Sequence, residues 1–184
     1  PIGRSARRDG ATVIRLPDGA GTQRFLLVGA EVPAQLPPLP ADEWRRLEVQ
    51  SGIARIERAT IEQFVPQMVN YELVGGVDFG KGCYPGQEVV ARSQYRGTIK
   101  RRSVLFETAA PAAAGATEVF HADDPSQPAG QVVMAAPSAA GGSVALVEVK
   151  LAALGGGSLH LGAPDGALLR RVALPYELPA EATA

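Results

Sequence analysis

From Thr98 onward, short apolar runs alternate with glycine-, proline- and alanine-rich turns, a texture that fits strands and leaves no room for long helices. Val104-Leu105-Phe106, Val132-Val133-Met134, the run 144–149, Leu159-His160-Leu161 and the run 168–172 each have the length of a strand. Turn signals at that density predict a small barrel rather than a helical layer. The stretches 109–115 and 137–142 read as loops without chemistry.

Before Thr98 the texture is mixed. Val13-Ile14-Arg15-Leu16 and Arg24-Phe25-Leu26-Leu27-Val28 flank the turn-forming string Pro17-Asp18-Gly19-Ala20-Gly21 and read as a hairpin. Pro37, Pro38 and Pro40 exclude a helix interior, because proline has no amide donor and crowds the preceding turn. Beyond them Asp42 is placed to cap a helix running to about Ser51, with Trp44, Leu47 and Val49 for its buried side and Gly52 as its stop. Thr60-Ile61-Glu62-Gln63 matches a capping box and predicts a short helix before Pro66. A further turn is expected from Asn70 to Gly76, then an extended Val77-Asp78-Phe79, then a helix over 88–96 stopped by Gly97. The fold class is therefore α+β: an α+β region over 1–100 followed by a small β-barrel over 101–184.

The formal net charge of -1 draws the chain neither to nucleic acid nor to an anionic membrane, so direct nucleic-acid binding is not expected. No apolar run approaches the roughly 20 residues of a bilayer span. The single cysteine, Cys83, has no internal disulfide mate, and with His121 and His160 it makes too small a set for structural zinc. No metal site is expected, and a reducing cytoplasm fits best. The chain opens at Pro1 directly on a turn-and-strand pattern and reads as a piece of a longer protein. His121 and His160 read as surface or core residues, and Gly155-Gly156-Gly157-Ser158 as a turn, since a phosphate loop would continue with lysine.

The chemistry is concentrated in Lys81-Gly82-Cys83-Tyr84-Pro85-Gly86-Gln87-Glu88. A cysteine reacts and binds metals as its thiolate, which Lys81, the N-terminal end of the following helix, and Arg92 and Arg96 on that helix would favour. Gly82 and Gly86 supply backbone freedom, and Pro85-Gly86 fits the central positions of a type II turn. Glu88 can orient Lys81 or move a proton. On local chemistry alone, a small buried cysteine is the competing reading. Arg92, Arg96, Lys100, Arg101 and Arg102 form the densest basic stretch, which reads as a solvated face able to attract an anionic tail.

Gln63-Phe64-Val65-Pro66-Gln67-Met68-Val69-Asn70, Gly75-Gly76-Val77, the run 81–88, Ala91-Arg92, Arg96-Gly97 and Lys100-Arg101 resemble the signature of the YgfZ family. The resemblance is strongest over 44–102, and Gly130-Gln131-Val132 and the run 145–149 resemble the family's barrel more loosely. On this resemblance the chain is the C-terminal two-thirds of such a protein. The family is similar in fold to the T-protein aminomethyltransferase of glycine cleavage. The resemblance implies binding of tetrahydrofolate or a one-carbon derivative. It also implies a role in assembling or repairing iron–sulfur clusters, reaching through iron–sulfur enzymes to tRNA modification. The implied partners are folate and iron–sulfur enzymes or cluster-assembly proteins.

Carried onto this chain, the family's essential cysteine is Cys83, with Lys81, Gly82, Tyr84, Gly86, Gln87 and Glu88 completing its motif. Trp44 takes the place of a tryptophan associated with folate, and a flat pterin can stack on an indole; without the resemblance, a lone tryptophan on an amphipathic helix reads as packing. Glu48 stands where the family commonly has an arginine, four residues before Gly52, so that folate contact has no residue here. No complete catalytic constellation is visible. A folate-dependent aminomethyl or one-carbon transferase and a non-enzymatic docking module therefore stay open as alternatives.

Overall fold

The computed structural model describes residues 3–8, 10–29, 31, 34–95, 97 and 99–179. Strands β1 (Ser5–Arg8), β2 (Ala11–Gly19) and β3 (Thr22–Val28) form an antiparallel sheet in the order β1-β2-β3. The expected hairpin is present, with a tighter turn than the string of turn formers indicates. Ala20 and Gly21 alone make it, at φ 47° and 76°, the left-handed pair whose twist matches that of the flanking strands. Pro17 and Asp18 instead lie inside β2, where the register shifts between Leu16 and Gly19. A bulge is one of the few places a sheet accepts proline.

Helix α1 (Ala41–Gln50) follows the proline-rich loop and buries Leu47 and Val49. Its N-cap is Pro40, with no side-chain cap, and Asp42 lies in the first turn. The expectation that Asp42 caps the helix is thereby corrected: its negative charge acts on the positive helix end, not through a capping bond. Gly52, at φ +68°, ends the helical turn as expected. Gly19 lets the hairpin tip lie flat on α1, since a Cβ there would fall 2.3 Å from the Leu47 carbonyl oxygen.

The helix expected to begin at Thr60 does not form. Thr60 closes a 3-10 turn over Arg58–Thr60, where its Oγ1 accepts from the Glu57 N–H at 3.0 Å. Two residues later Glu62 takes a left-handed φ of 61°, which no continuing helix allows. A second 3-10 turn, Pro66–Val69, ends at Asn70, also left-handed. Helix α2 (Gln87–Tyr95) then follows the cysteine loop.

The remainder is β4 (Arg101–Thr108), β5 (Glu118–His121), β6 (Asp124–Pro137), β7 (Ser143–Lys150), β8 (Leu159–Leu161) and β9 (Ala167–Val172). They close a six-stranded antiparallel barrel in the order β4-β7-β6-β5-β8-β9, with β9 returning to β4. Val104, Phe106, Val119, Val132, Val147, Leu159 and Leu169 belong to one buried cluster. Leu105, Val133, Met134 and Leu146 belong to a second, which also takes in Val49, Ala54 and Val69. A bulge between Val132 and Met134 changes the alternation of β6, so the adjacent Val133 and Met134 share this second cluster. Strands β4 and β7 are consequently buried almost throughout, unlike an ordinary half-wet antiparallel strand.

Candidate functional site: an exposed thiol loop on a braced helix

Tyr84, Pro85, Gly86 and Gln87 make a β-turn, in which the Gln87 N–H donates to the Tyr84 carbonyl at 3.2 Å and Gly86 takes φ +81°. Proline then glycine at the centre is the type II signature anticipated from the motif. The Gln87 side chain reaches back and accepts from the Tyr84 N–H at 3.0 Å, so one residue both starts α2 and pins the loop. Gly82 has a different status from Gly86. It does not take a positive φ, and a Cβ there would meet open space.

Cys83 is free and exposed, just ahead of this turn. Its side chain therefore contributes little to the core. The Lys81 Nζ lies 4.6 Å from the centroid of the Tyr84 ring. Glu88 faces Arg92 one helical turn along at 3.4 Å, with side chains 87% and 72% exposed, so this ion pair adds little stability. The anticipated orienting of Lys81 by Glu88 is thus replaced by two separate pairings, because i and i+4 meet on a helix face while Lys81 folds back over the loop. Arg96 lies outside the described residues. Phe79 and Tyr95 pack edge to face at 5.9 Å beside the loop.

The loop's helix is tied to the barrel by polar side chains whose bracing role the sequence does not announce, Asn70 reading there as a turn start and Arg102 as part of a basic face. Gln67, fully buried, donates its amide to the Val90 carbonyl of α2 at 2.8 Å. Asn70 donates to the Ser103 carbonyl at 2.8 Å and to the Tyr176 hydroxyl at 3.1 Å, and that hydroxyl donates to the Gly52 carbonyl at 2.6 Å. Arg102 donates to the Gln67 carbonyl at 3.1 Å and pairs with Glu72, both side chains being nearly inaccessible. The available signal was the placing of Gln67 and Asn70 among apolar residues in the 63–70 run.

The basic stretch is a solvated face only in part: Arg92 is exposed, whereas Arg101 and Arg102 are paired internally. Arg102 is buried, and Arg101 forms a two-pronged pair with Glu148, whose carboxylate is 1% exposed. Lys100 is exposed. Arg101 and Arg102 are taken up because their acidic mates, Glu148 and Glu72, arrive from distant parts of the chain. His121 bonds the Gly156 carbonyl through Nε2 at 2.7 Å, while His160 meets the Ser158 hydroxyl and the Gly166 carbonyl. Both serve barrel turns.

Trp44 is half-buried on α1, and the Arg24 guanidinium from β3 lies 5.1 Å from its ring centroid. Arg24 is itself only 6% exposed and donates from Nε to the Pro17 carbonyl at 2.9 Å. Burial pushes its pKa below the usual arginine range, opposed by the negative charge of Glu48. Glu48 in turn pairs with Arg55 at 2.7 Å.

A thiol loop leading through one braced helix into a six-stranded barrel places the chain in the class of α+β proteins that carry a presented cysteine. Over 59 residues it is 48% identical to the tRNA-modifying protein YgfZ of Edwardsiella ictaluri (strain 93-146). That stretch is 32% of this chain and 18% of the relative, so the match covers less than a fifth of the relative's length. The match bears out the YgfZ-family resemblance. No family model matches the chain. Among the described residues, no helix is long and apolar enough to cross a membrane.

Proposed function

We propose that this chain is the thiol-bearing part of a YgfZ-type, tetrahydrofolate-binding accessory protein of the cytoplasm that supports iron–sulfur cluster assembly or repair and, through iron–sulfur enzymes, tRNA modification. The observation that carries the reading is the exposed Cys83, held ahead of the Pro85-Gly86 turn at the start of α2. A cysteine kept for packing would be buried. One thiol cannot hold a cluster alone, since clusters usually take four cysteine ligands, so Cys83 acts on a cluster or precursor whose other ligands come from a client protein. The name of the relative, a tRNA-modifying protein, supports the last link.

The same reading takes residues 1–100 as part of an aminomethyltransferase-like folate-binding region and residues 101–184 as its barrel. At Trp44 a pterin would share the indole with the Arg24 guanidinium, which lies 5.1 Å from the ring centroid, or displace it. What this chain's own residues do is hold Cys83 accessible, with Lys81, Glu88 and Arg92 as the charges of its loop and helix.

The test is replacement of the chromosomal copy by full-length protein carrying Cys83→Ala. Iron–sulfur enzyme activity should fall to the level of the deletion strain at normal protein abundance. Normal activity in cells that express the variant well would sink the assignment. Rapid one-carbon transfer from tetrahydrofolate derivatives by the purified full-length protein would favour a transferase instead.

A further inference from the structure

We propose that Tyr84 is a positioning residue whose ring holds the Lys81 ammonium at the cysteine loop, biasing the Cys83 thiol toward anionic reaction partners; this rests on the reading of Cys83 as the working thiol. The 4.6 Å from Nζ to ring centroid lies well inside the roughly 6 Å reach of a cation–π contact. A lysine stem is otherwise flexible, and an exposed ammonium sweeps a wide volume. Here the ring gives it a preferred seat. The Tyr84 backbone is held on both sides by Gln87, through the 3.0 Å bond to its N–H and the 3.2 Å bond to its carbonyl. Neither bond uses the tyrosine hydroxyl, so the ring is what positions the charge.

The surroundings support a seat rather than a ligand pocket. Phe79, Lys81, Tyr84 and Tyr95 line a hollow of about 40 Å³, enough for water and too small for a substrate. Asp78 also lines it, with one carboxylate oxygen accepting from the Gly80 N–H at 2.8 Å. On the neighbouring helix face Glu88 and Arg92 offset one another. Adjacent Cα atoms are ~3.8 Å apart, so an ammonium over the Tyr84 ring lies on the order of 10 Å from the thiol, about one Debye length at ~0.1 M salt. A unit charge at that range in water changes the approach of an ionic reagent by a factor of about two.

The experiment compares alkylation of Cys83 by anionic iodoacetate and neutral iodoacetamide. In both, the thiolate sulfur attacks the methylene carbon and expels iodide, so the ionised fraction of the thiol cancels in the ratio of rate constants. Lys81→Met should lower the iodoacetate-to-iodoacetamide ratio about twofold at low salt, and the difference should vanish near ~0.5 M salt. Tyr84→Leu should lower it in the same direction but by less, since the charge remains and is only released from its seat, and should add nothing to Lys81→Met. Tyr84→Phe should leave it at the wild-type value. Circular dichroism checks the fold, and Tyr84→Met replaces the leucine variant if that one does not fold. A wild-type ratio in a folded ring-less variant, or a lowered ratio in Tyr84→Phe, would overturn the proposal while leaving the Cys83→Ala test in cells untouched. Conversely, a Cys83→Ala protein that supports iron–sulfur enzymes removes the functional reading whatever the ratio.

Discussion

The buried amide of Gln67 donates to the Val90 carbonyl in the middle of α2, at 2.8 Å, and so fastens the helix behind Cys83 to the 3-10 turn at Pro66–Val69. Val90 is the one buried residue of α2, so apolar packing alone holds that helix weakly. Gln67→Met keeps the volume and removes the donor. It also removes the Gln67 Oε1, which has no protein hydrogen-bond partner, so the two effects on global stability oppose each other. The expected result is a change in global stability within about 1 kcal/mol, with amide exchange in α2 faster by roughly fivefold. Hydrogen exchange followed by mass spectrometry reads this directly, and unchanged α2 protection would show that Gln67 does not brace the helix.

Arg102 and Glu72 should behave differently, because their pairing is buried. Removing one member leaves the other as an uncompensated charge, which typically costs about 3–5 kcal/mol, whereas removing both is often far milder. Their side chains are 4% and 6% exposed, so solvent cannot rescue the survivor. Arg102→Met should therefore destabilise strongly, and adding Glu72→Leu should recover much of the loss. Urea unfolding of the two single variants and the double variant measures the coupling; additive losses would mean the pair is not one unit.

How much of this was legible depends on the range of the interaction. The hairpin and the principal barrel strands rest on local apolar runs and turn residues, and they are present. Strand β5 was missed because Glu118–His121 offers only Val119 and Phe120 as signal, and its place is set by pairing with β6 and β8. The Thr60 expectation failed for a related reason: its hydroxyl serves Glu57 behind it, not a helix ahead. Arg101 and Arg102 looked solvated in sequence because Glu148 and Glu72 are 47 and 30 positions away. The cysteine loop was readable because its turn is local, whereas the covering of Trp44 by Arg24 required the hairpin to dock on α1.

Alkaline pH should weaken the bonds by which the Tyr71 and Tyr176 phenols hold the segment that follows α1. Burial raises the pKa of both Tyr71 and Tyr176 above the ordinary tyrosine value of about 10, and for Tyr176 the hydrogen bond from Asn70 works in the opposite direction. Each phenol also donates to a backbone carbonyl, of Ala54 at 2.8 Å and of Gly52 at 2.6 Å. Between the unfolded and the raised folded pKa the native state binds more protons than the unfolded chain, so stability falls as pH rises. The contribution is complete below about pH 10 and is lost above it. Melting curves taken across this range should show a decline that is shallower in Tyr71→Phe/Tyr176→Phe, and an identical slope in that double variant would remove the two phenols as its cause.

The exposure of Cys83 makes stability and function separable at one atom. A cysteine used as a small core hydrophobe reacts with thiol reagents only on unfolding, and its truncation to alanine costs stability. Here the side chain stands at a loop whose turn is closed by the backbone of Tyr84 and by Gln87, none of which needs the sulfur. Native protein should therefore titrate with Ellman's reagent to about one thiol per chain, without denaturant, at a rate approaching that of the unfolded chain. Cys83→Ala should change stability by no more than about 0.5 kcal/mol, the usual span of surface substitutions, which at this chain length is a melting shift of about 1–2 °C. A thiol that reacts only in denaturant, or a variant that melts many degrees lower, would return Cys83 to the core and remove the physical ground for assigning it a working role.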